Sequence, residues 1–137
     1  MKTTYKLLHI LLLESNYKRA HFIDFDSGNI KNEIDIKINH IKKDGQLDVT
    51  LKLIFISKQN ENNVIEAVIT MIGSFLFETS GEVNIPVEAF ATINAPAIIF
   101  PFIREHLATL TMKSGVQPVF LPPVNFIQLA KQAKKKQ

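Results

Sequence analysis

The sequence contains no cysteine and no tryptophan, and only five of its 137 residues are glycine. The absence of cysteine excludes disulfide frameworks, thiolate metal sites and thiol nucleophiles. No phosphate-binding glycine loop is present, and no apolar run reaches the roughly 20 residues that a membrane-spanning helix needs. The 46% of hydrophobic and 21% of charged residues are close to the average of globular domains. We therefore expect a single folded domain over residues 1–130, without cofactor, metal or stable membrane insertion.

The excess of basic residues is confined to the C-terminus. The net charge is +3, but four lysines lie in the last seven residues, and without them 12 basic residues face 13 acidic ones. A nucleic-acid surface needs Lys and Arg clustered over a folded face, so no nucleic-acid partner is expected. Residues 131–137 are predicted to form a short, basic, disordered tail. Contact of this tail with acidic lipid, nucleic acid or another polypeptide remains the alternative.

Alternating apolar and polar residues predict four strands. Residues 34–39 and 47–55 alternate with a period of two on either side of an Asp-Gly turn, which predicts an antiparallel hairpin. Residues 57–63 are polar and are expected to form a loop. Residues 64–77 are apolar on both faces, and Gly73 among them predicts a bulge or a close approach of another part of the chain.

The N-terminal apolar run has two interpretations. Residues 5–13 resemble a short signal peptide, but they contain His9 and lack a small-x-small cleavage site. A strand with two apolar faces is therefore favoured over a signal peptide. Strict alternation then places Tyr5, Leu7, His9, Leu11 and Leu13 on one face and Leu8, Ile10 and Leu12 on the other.

The C-terminal half is predicted to be helical. Apolar spacings of three and four predict a helix over residues 97–113, with Pro101 in its first turn and Gly115 as a left-handed cap. The proline-rich residues 118–123 exclude a helix there, and Asn125 is a good cap for a last helix. Strands followed by helices indicate the α+β class, with a four-stranded antiparallel sheet followed by two C-terminal helices.

Catalytic chemistry finds little support in the sequence. The four histidines are scattered and form no metal-binding or catalytic pair, so no catalytic residue and no metal ligand is assigned. Convergence of His21, Asp24 and Glu105 in one cleft would reopen the question of an enzyme. Residues 24–29 resemble a calcium loop, but the expected twelfth-position glutamate is Asp35, so turn chemistry explains the segment better.

The most informative feature is an excess of apolar surface. Two strands that are apolar on both faces and two further apolar runs, residues 98–103 and 119–123, exceed what a small core can bury. This predicts an obligate oligomer with a further apolar groove, and the alternative is a well-filled monomeric core. An oligomeric protein that binds an apolar small ligand in such grooves is also compatible with the sequence.

Two segments resemble the SecB family of protein-export chaperones. Residues 94–105 (NAPAIIFPFIRE) are similar to the family's PxxLFPYARE segment, and residues 121–126 match its LPPVNF signature. The resemblance implies a cytoplasmic, ATP-independent holdase that forms a homotetramer, a dimer of dimers. Such proteins bind unfolded polypeptide clients and keep them soluble or competent for translocation, in some cases for delivery to the SecA motor. Other SecB-like proteins are dedicated chaperones of an antitoxin.

The resemblance also implies which residues form each surface. The client-binding groove would consist of Ile30, Phe120, Leu121, Val124, Phe126 and Leu129. The oligomer interface would include Ile99, Ile103, Leu107 and Leu110. Glu14 and Glu66 would belong to an acidic SecA-docking patch, but Lys18 stands where another carboxylate is usual and the tail is basic. A reversed charge removes electrostatic complementarity, which argues against delivery to SecA.

Overall fold

The structure is a computed structural model that describes residues 2–80 and 85–135. Strands β1 (Lys2–Arg19), β2 (Ile30–Lys43), β3 (Gln46–Gln59) and β4 (Asn62–Ser80) form one antiparallel sheet in the order β1-β4-β3-β2. Helices α1 (Val87–Ala89), α2 (Ala95–Lys113) and α3 (Phe126–Lys135) follow, and a π-helical turn (Phe90–Asn94) joins the first two. The predicted α+β class and the order of strands before helices are confirmed.

The two hairpins illustrate where sequence patterns succeed and fail. The predicted β2–β3 hairpin is present, with Lys43 paired to Gln46 across the Asp-Gly turn. The polar loop predicted over residues 57–63 is wrong, because β3 and β4 extend to a two-residue turn at Asn60 and Glu61. Both turn residues have positive φ angles, as the tightest hairpin turn requires. The polar composition of this segment indicated a solvated loop. Gln59 is instead buried at the end of β3, which composition does not reveal.

The helical region begins ten residues earlier than predicted. Because α1 starts at Val87, Pro101 lies inside α2 rather than in its first turn. The π-helical turn ends at Asn94, two residues before Pro96, and the Ala95 N–H donates to the carbonyl of Phe90, five residues back. Proline lacks an N–H and clashes with the carbonyl four residues before it, so a wider turn accommodates Pro96 without ending the helix. The region Val87–Lys113 is long and apolar enough to span a membrane, yet its apolar side packs on the sheet.

Two irregularities in β1 change which residues face the helices. The pairing with β4 shifts between Leu7 and His9 and again between Leu12 and Glu14, which leaves one extra residue in each place. The side chains paired with the buried face of β4 are therefore those of Tyr5, Leu7, Ile10, Leu12, Ser15, Tyr17 and Arg19. The strict alternation predicted for this strand is wrong beyond Leu7. The sequence pattern carries no sign of either bulge.

The core lies between the helices and one face of the sheet. The inward side chains of β3 and those of β4 from Ile65 to Phe75 are buried, as are Ile99, Ile103 and Leu107 on α2. The predicted close approach at Gly73 is confirmed, because an added Cβ would lie 2.9 Å from Cδ1 of Ile99.

Polar residues of β1 hold the C-terminal end of α2. Ser15 Oγ lies 2.7 Å from His106 Nε2, and the Tyr17 hydroxyl lies 2.6 Å from Ser114 Oγ. The Arg19 guanidinium donates to the main-chain carbonyl of Ser114, at the negative end of the helix dipole. A cation at this end stabilises a helix. The residues of β1 after the second bulge therefore hold α2 through polar contacts and do not extend the apolar core.

The C-terminal segment begins as predicted and ends differently. Gly115 has a φ angle of 76° after α2, and Asn125 Oδ1 accepts the N–H of Gln128 at 3.0 Å, so both predicted caps are confirmed. The structure continues α3 to Lys135, so residues 131–135 of the predicted disordered tail are helical in it. Residues 136 and 137 lie outside the described residues.

Candidate binding surface

The described part of the chain leaves a large apolar area exposed. Sixteen large hydrophobic side chains are exposed, and twelve of them fall into four groups: the β1 leucines, the loop between β1 and β2, the outer face of α2, and the segment from Phe120 to Ile127. The other four lie on β2 and β4: Ile30, Ile34, Ile41 and Leu76. Monomeric proteins rarely expose contiguous patches of more than a few hundred Å², so such surfaces mark binding or assembly sites.

The crossover loop, defined as residues 20–29 between β1 and β2, carries two exposed aromatic residues. Phe22 is 77% exposed and Phe25 is 57% exposed, while Ile23 between them is buried. Ile30, the predicted groove residue, is 39% exposed at the start of β2. Sequence reasoning missed both phenylalanines, although aromatic residues in a polar, turn-forming segment were an available signal. The loop therefore offers more apolar area than Ile30 alone.

The predicted groove residues after α2 separate into exposed and buried ones. Phe120 is 69% exposed, whereas Leu121 and Phe126 are buried in the subunit. The Phe126 ring packs edge-on against Phe100 with 5.8 Å between ring centroids, so it fixes α3 to α2. The two remaining predicted residues, Val124 and Leu129, are half-buried against the core.

A buried hydroxyl sets the position of Phe120. Thr111 Oγ1 donates to the carbonyl of Leu107 at 2.9 Å and accepts the main-chain N–H of Val119 at 2.9 Å. Phe120 follows directly in the linker, defined as residues 114–125 between α2 and α3, and lines a cleft of about 510 Å³ together with Met112 of α2. The linker thus presents its aromatic residue from a fixed position rather than from a free loop.

The predicted interface residues of α2 face inward. Ile99, Ile103 and Leu107 are fully buried against the subunit's own sheet, and Leu110 is half-buried. Ile99, Ile103 and Leu107 therefore have no surface to offer a partner, because a helix on a sheet uses its most regular apolar stripe for its own core. The predicted interface is corrected for these three residues, and for Leu110 it stays a prediction. The outer face carries a second apolar stripe, formed by Ile98, Phe102 and Met112, which are 39%, 50% and 59% exposed.

The two predicted SecA-docking carboxylates lie on the sheet face opposite the helices. Glu14 accepts a hydrogen bond from the Thr70 hydroxyl at 3.1 Å. Glu66 accepts one from the Asn63 amide at 2.9 Å and lies 3.5 Å from Lys18 Nζ. The Asn63 hydrogen bond, and secondarily the Lys18 charge, hold the pKa of Glu66 below its ordinary value. Glu66 thus has a cation beside it on the neighbouring strand.

Asp24 and Glu105, two of the residues whose convergence would reopen the question of an enzyme, each bond a partner near in sequence. Asp24 Oδ1 accepts the N–H of Asp26 in a local turn, as turn chemistry predicts for this segment. Glu105 accepts the Thr109 hydroxyl on α2, so the two carboxylates have separate partners. No group of three His, Asp or Glu side chains within these ranges is placed to hold a metal ion.

A four-stranded sheet covered by helices on one face, with several exposed apolar groups, defines an α+β protein with surfaces of the kind that mark interaction sites. The chain belongs to the SecB family, since the family model described as preprotein translocase subunit SecB matches residues 10–137. The family resemblance found in the sequence is thereby confirmed.

Individual relatives agree with this assignment. The chain is 33% identical to the protein-export protein SecB of Acidithiobacillus ferrooxidans over 94 residues, which cover 69% of this chain and 62% of that protein. It is 27% identical to SecB of Nitrobacter hamburgensis over 109 residues, covering 80% and 67% of the two chains. The chain thus aligns with less than two thirds of the length of its Acidithiobacillus relative.

The fold has a solved counterpart. A SecB-like chaperone of Mycobacterium tuberculosis, solved in complex with a peptide from the HigA1 antitoxin, superposes with a TM-score of 0.73. The sequence identity is 16%, and the match covers 88% of this chain and 90% of that one. This likeness confirms the SecB-like architecture of the sheet and helices.

Proposed function

We propose that this chain is the subunit of a cytoplasmic, ATP-independent chaperone that binds unfolded polypeptides on its exposed apolar surfaces and keeps them soluble for export. The observation that carries the proposal is the presentation of Phe22, Phe25 and Phe120 on a folded subunit of the SecB family, each more than half exposed. Exposed apolar side chains that cluster on a folded protein mark sites where a partner binds.

The energetics fit a promiscuous binder. Full burial of one phenylalanine side chain stabilises a complex by about 1.5–3 kcal/mol, whichever client residue covers it, because apolar burial is not directional. A single subunit would therefore bind an unfolded segment weakly. Several copies in one assembly would raise the effective affinity through simultaneous contacts along one client. This requires no nucleotide and no chemical step.

Assembly would use the remaining apolar groups. β1 is an edge strand, and its leucines are exposed along much of its length. Leu11 is 48% exposed and Leu13 is 57% exposed. An exposed apolar edge strand invites pairing with another strand. We assign dimer formation to β1 and association of dimers to Ile98 and Phe102 of the outer α2 stripe, since Met112 lines the Phe120 cleft that is assigned to clients. The result would be the tetrameric dimer of dimers that the family resemblance implies.

Two matched phenylalanine variants test this division. Phe120→Ser should weaken binding of an unfolded client about tenfold, since it removes most of one aromatic contact, and should leave the assembly unchanged. Phe102→Ser should instead shift the assembly towards smaller species in sedimentation. Client affinity that depends on Phe102 but not on Phe120 would contradict the assignment of the two surfaces. A fixed stoichiometry with one apolar small ligand, without competition by unfolded proteins, would favour a small-ligand carrier.

The Lys18–Glu66 ion pair favours a second candidate, a chaperone that does not deliver to SecA and serves a dedicated client such as an antitoxin. The ion pair neutralises one of the two carboxylates expected in a SecA-docking patch. Lys18→Glu should then strengthen SecA binding, measured by calorimetry at low salt, without changing client affinity. Tight SecA binding by the unaltered chain would exclude this candidate.

A further inference from the structure

We infer that Gln59 is a positioning residue that holds the crossover loop in the shape in which it binds clients. The inference rests on the proposed chaperone function, because the loop is treated as part of the client surface. It assigns a specific role to a buried polar side chain whose hydrogen bonds go to the loop and not to the sheet.

The topology brings Gln59 under the loop. β1 and β2 are the two edges of the sheet, so the crossover loop must pass the ends of β4 and β3 on its way between them. Gln59 is the last residue of β3 and is only 7% exposed. It pairs with Asn62 across the tight turn to β4. Its side chain therefore lies at the sheet end that the loop crosses.

One side-chain amide satisfies both main-chain groups of Asp24. Gln59 Oε1 accepts the Asp24 N–H at 3.1 Å, and Gln59 Nε2 donates to the Asp24 carbonyl at 2.5 Å. The same nitrogen donates to Ser27 Oγ at 2.8 Å. An amide side chain can offer both a donor and an acceptor, so Gln59 binds the loop as a neighbouring strand would. The loop has no strand pairing of its own in this region.

The attachment point lies between the two exposed aromatic residues. Ile23 is buried directly beside Asp24, so residues 23 and 24 are fixed by apolar and polar contacts respectively. Phe22 and Phe25 flank these two residues and stay exposed. A loop that is already ordered loses less conformational entropy when a client binds, which increases affinity without any new contact.

The variant Gln59→Met tests the inference, because methionine has a similar length but can form none of the three hydrogen bonds. The matched control is Gln46→Met, at the other end of the same strand, where the amide bonds Asp48 and not the loop. The probe is reduced, carboxymethylated α-lactalbumin, a permanently unfolded polypeptide. Affinity and its enthalpic and entropic parts are measured by calorimetry, and loop order by amide hydrogen exchange.

We expect Gln59→Met to accelerate amide exchange in the crossover loop at least tenfold and to weaken client binding about five- to tenfold, through a less favourable entropy. Gln46→Met should change neither quantity. The inference is overturned if loop exchange is unchanged, or if the loop becomes mobile while affinity stays at the unaltered value. Circular dichroism and sedimentation verify that both variants keep the fold and assembly.

A second pair of variants separates the inference from the proposed function. Phe22→Ala and Phe25→Ala should each weaken client binding with no change in loop exchange, since they remove contacts and not the attachment. If neither weakens binding, the loop is not a client surface, and the inference falls while the chaperone function stands. If the unaltered chain binds no unfolded polypeptide, the proposed function itself is wrong.

Discussion

Replacement of Gly73 by alanine would test how α2 rests on the sheet. The added Cβ would lie 2.9 Å from Ile99 Cδ1, 3.0 Å from Ile99 Cγ1 and 3.2 Å from Phe75 Cε2, all closer than the 3.5–4.0 Å of a favourable carbon contact. Ile99 and Phe75 are buried, so neither can move into solvent. Overpacking of this kind costs about 1–3 kcal/mol, and the stiffer unfolded chain returns about 0.4–1 kcal/mol. We expect a net loss of about 1–2 kcal/mol in the free energy of unfolding.

A double-mutant cycle would show that the contact with Ile99 causes this loss. Ile99→Val removes the Cδ1 atom and alone should cost about 0.5–1.5 kcal/mol. The combination Gly73→Ala with Ile99→Val should cost about 1 kcal/mol less than the sum, because the new methyl group fills the vacated space. Urea unfolding at one fixed protein concentration is the assay, since assembly would make the stability depend on concentration.

Gly28→Ala serves as the control. Gly28 has a φ angle of 69°, and no atom lies within 4 Å of the position that an added Cβ would occupy. Its replacement should therefore destabilise through backbone strain alone, and Ile99→Val should not relieve that loss. Additive effects of Gly73→Ala and Ile99→Val, within about 0.5 kcal/mol, would refute the close packing of α2 against β4.

Two further predictions concern buried or hydrogen-bonded polar groups. Thr111→Val removes the acceptor of the Val119 N–H and should lower the free energy of unfolding by about 1–3 kcal/mol. Urea titrations measure this loss, and an unchanged free energy would contradict the contact. Hydrogen bonds from Gln46 and Ser74 hold the pKa of Asp48 below its ordinary value, so they add stability above about pH 4 that is lost as the pH falls through the folded-state pKa. Gln46→Met should raise this pKa in an NMR titration and make acid destabilisation shallower, and an unchanged pKa would contradict the assignment.

Local patterns predicted the hairpin, the caps and the class of fold because each depends on neighbouring residues. The Asp-Gly turn fixes the β2–β3 pairing, and Asn125 caps α3 with its own side chain. The bulges of β1 could not be predicted, since their positions depend on which residues of β4 and α2 each side chain meets. The start of the helical region was predicted too late for a similar reason. Pro101 was placed in the first turn, but the helical region continues upstream through Pro96, which the π-helical turn accommodates.

The candidate surface was harder to predict than the fold. A sequence shows that Leu121, Phe126 and Ile99 are apolar but not whether the subunit's own core covers them. The structure buries all three and exposes Phe22, which stands in a polar segment. Gln59 was assigned to a loop because a polar residue at a strand end is usually solvated. Its role depends on a partner 35 positions earlier in the chain, and no local pattern records such a contact.

Sedimentation velocity with and without reduced, carboxymethylated α-lactalbumin tests whether the chain assembles into a tetramer that binds unfolded polypeptides. We expect a tetramer that sediments together with the unfolded polypeptide and does not bind the native form of the same protein. A monomer that leaves the unfolded polypeptide sedimenting alone would contradict this expectation.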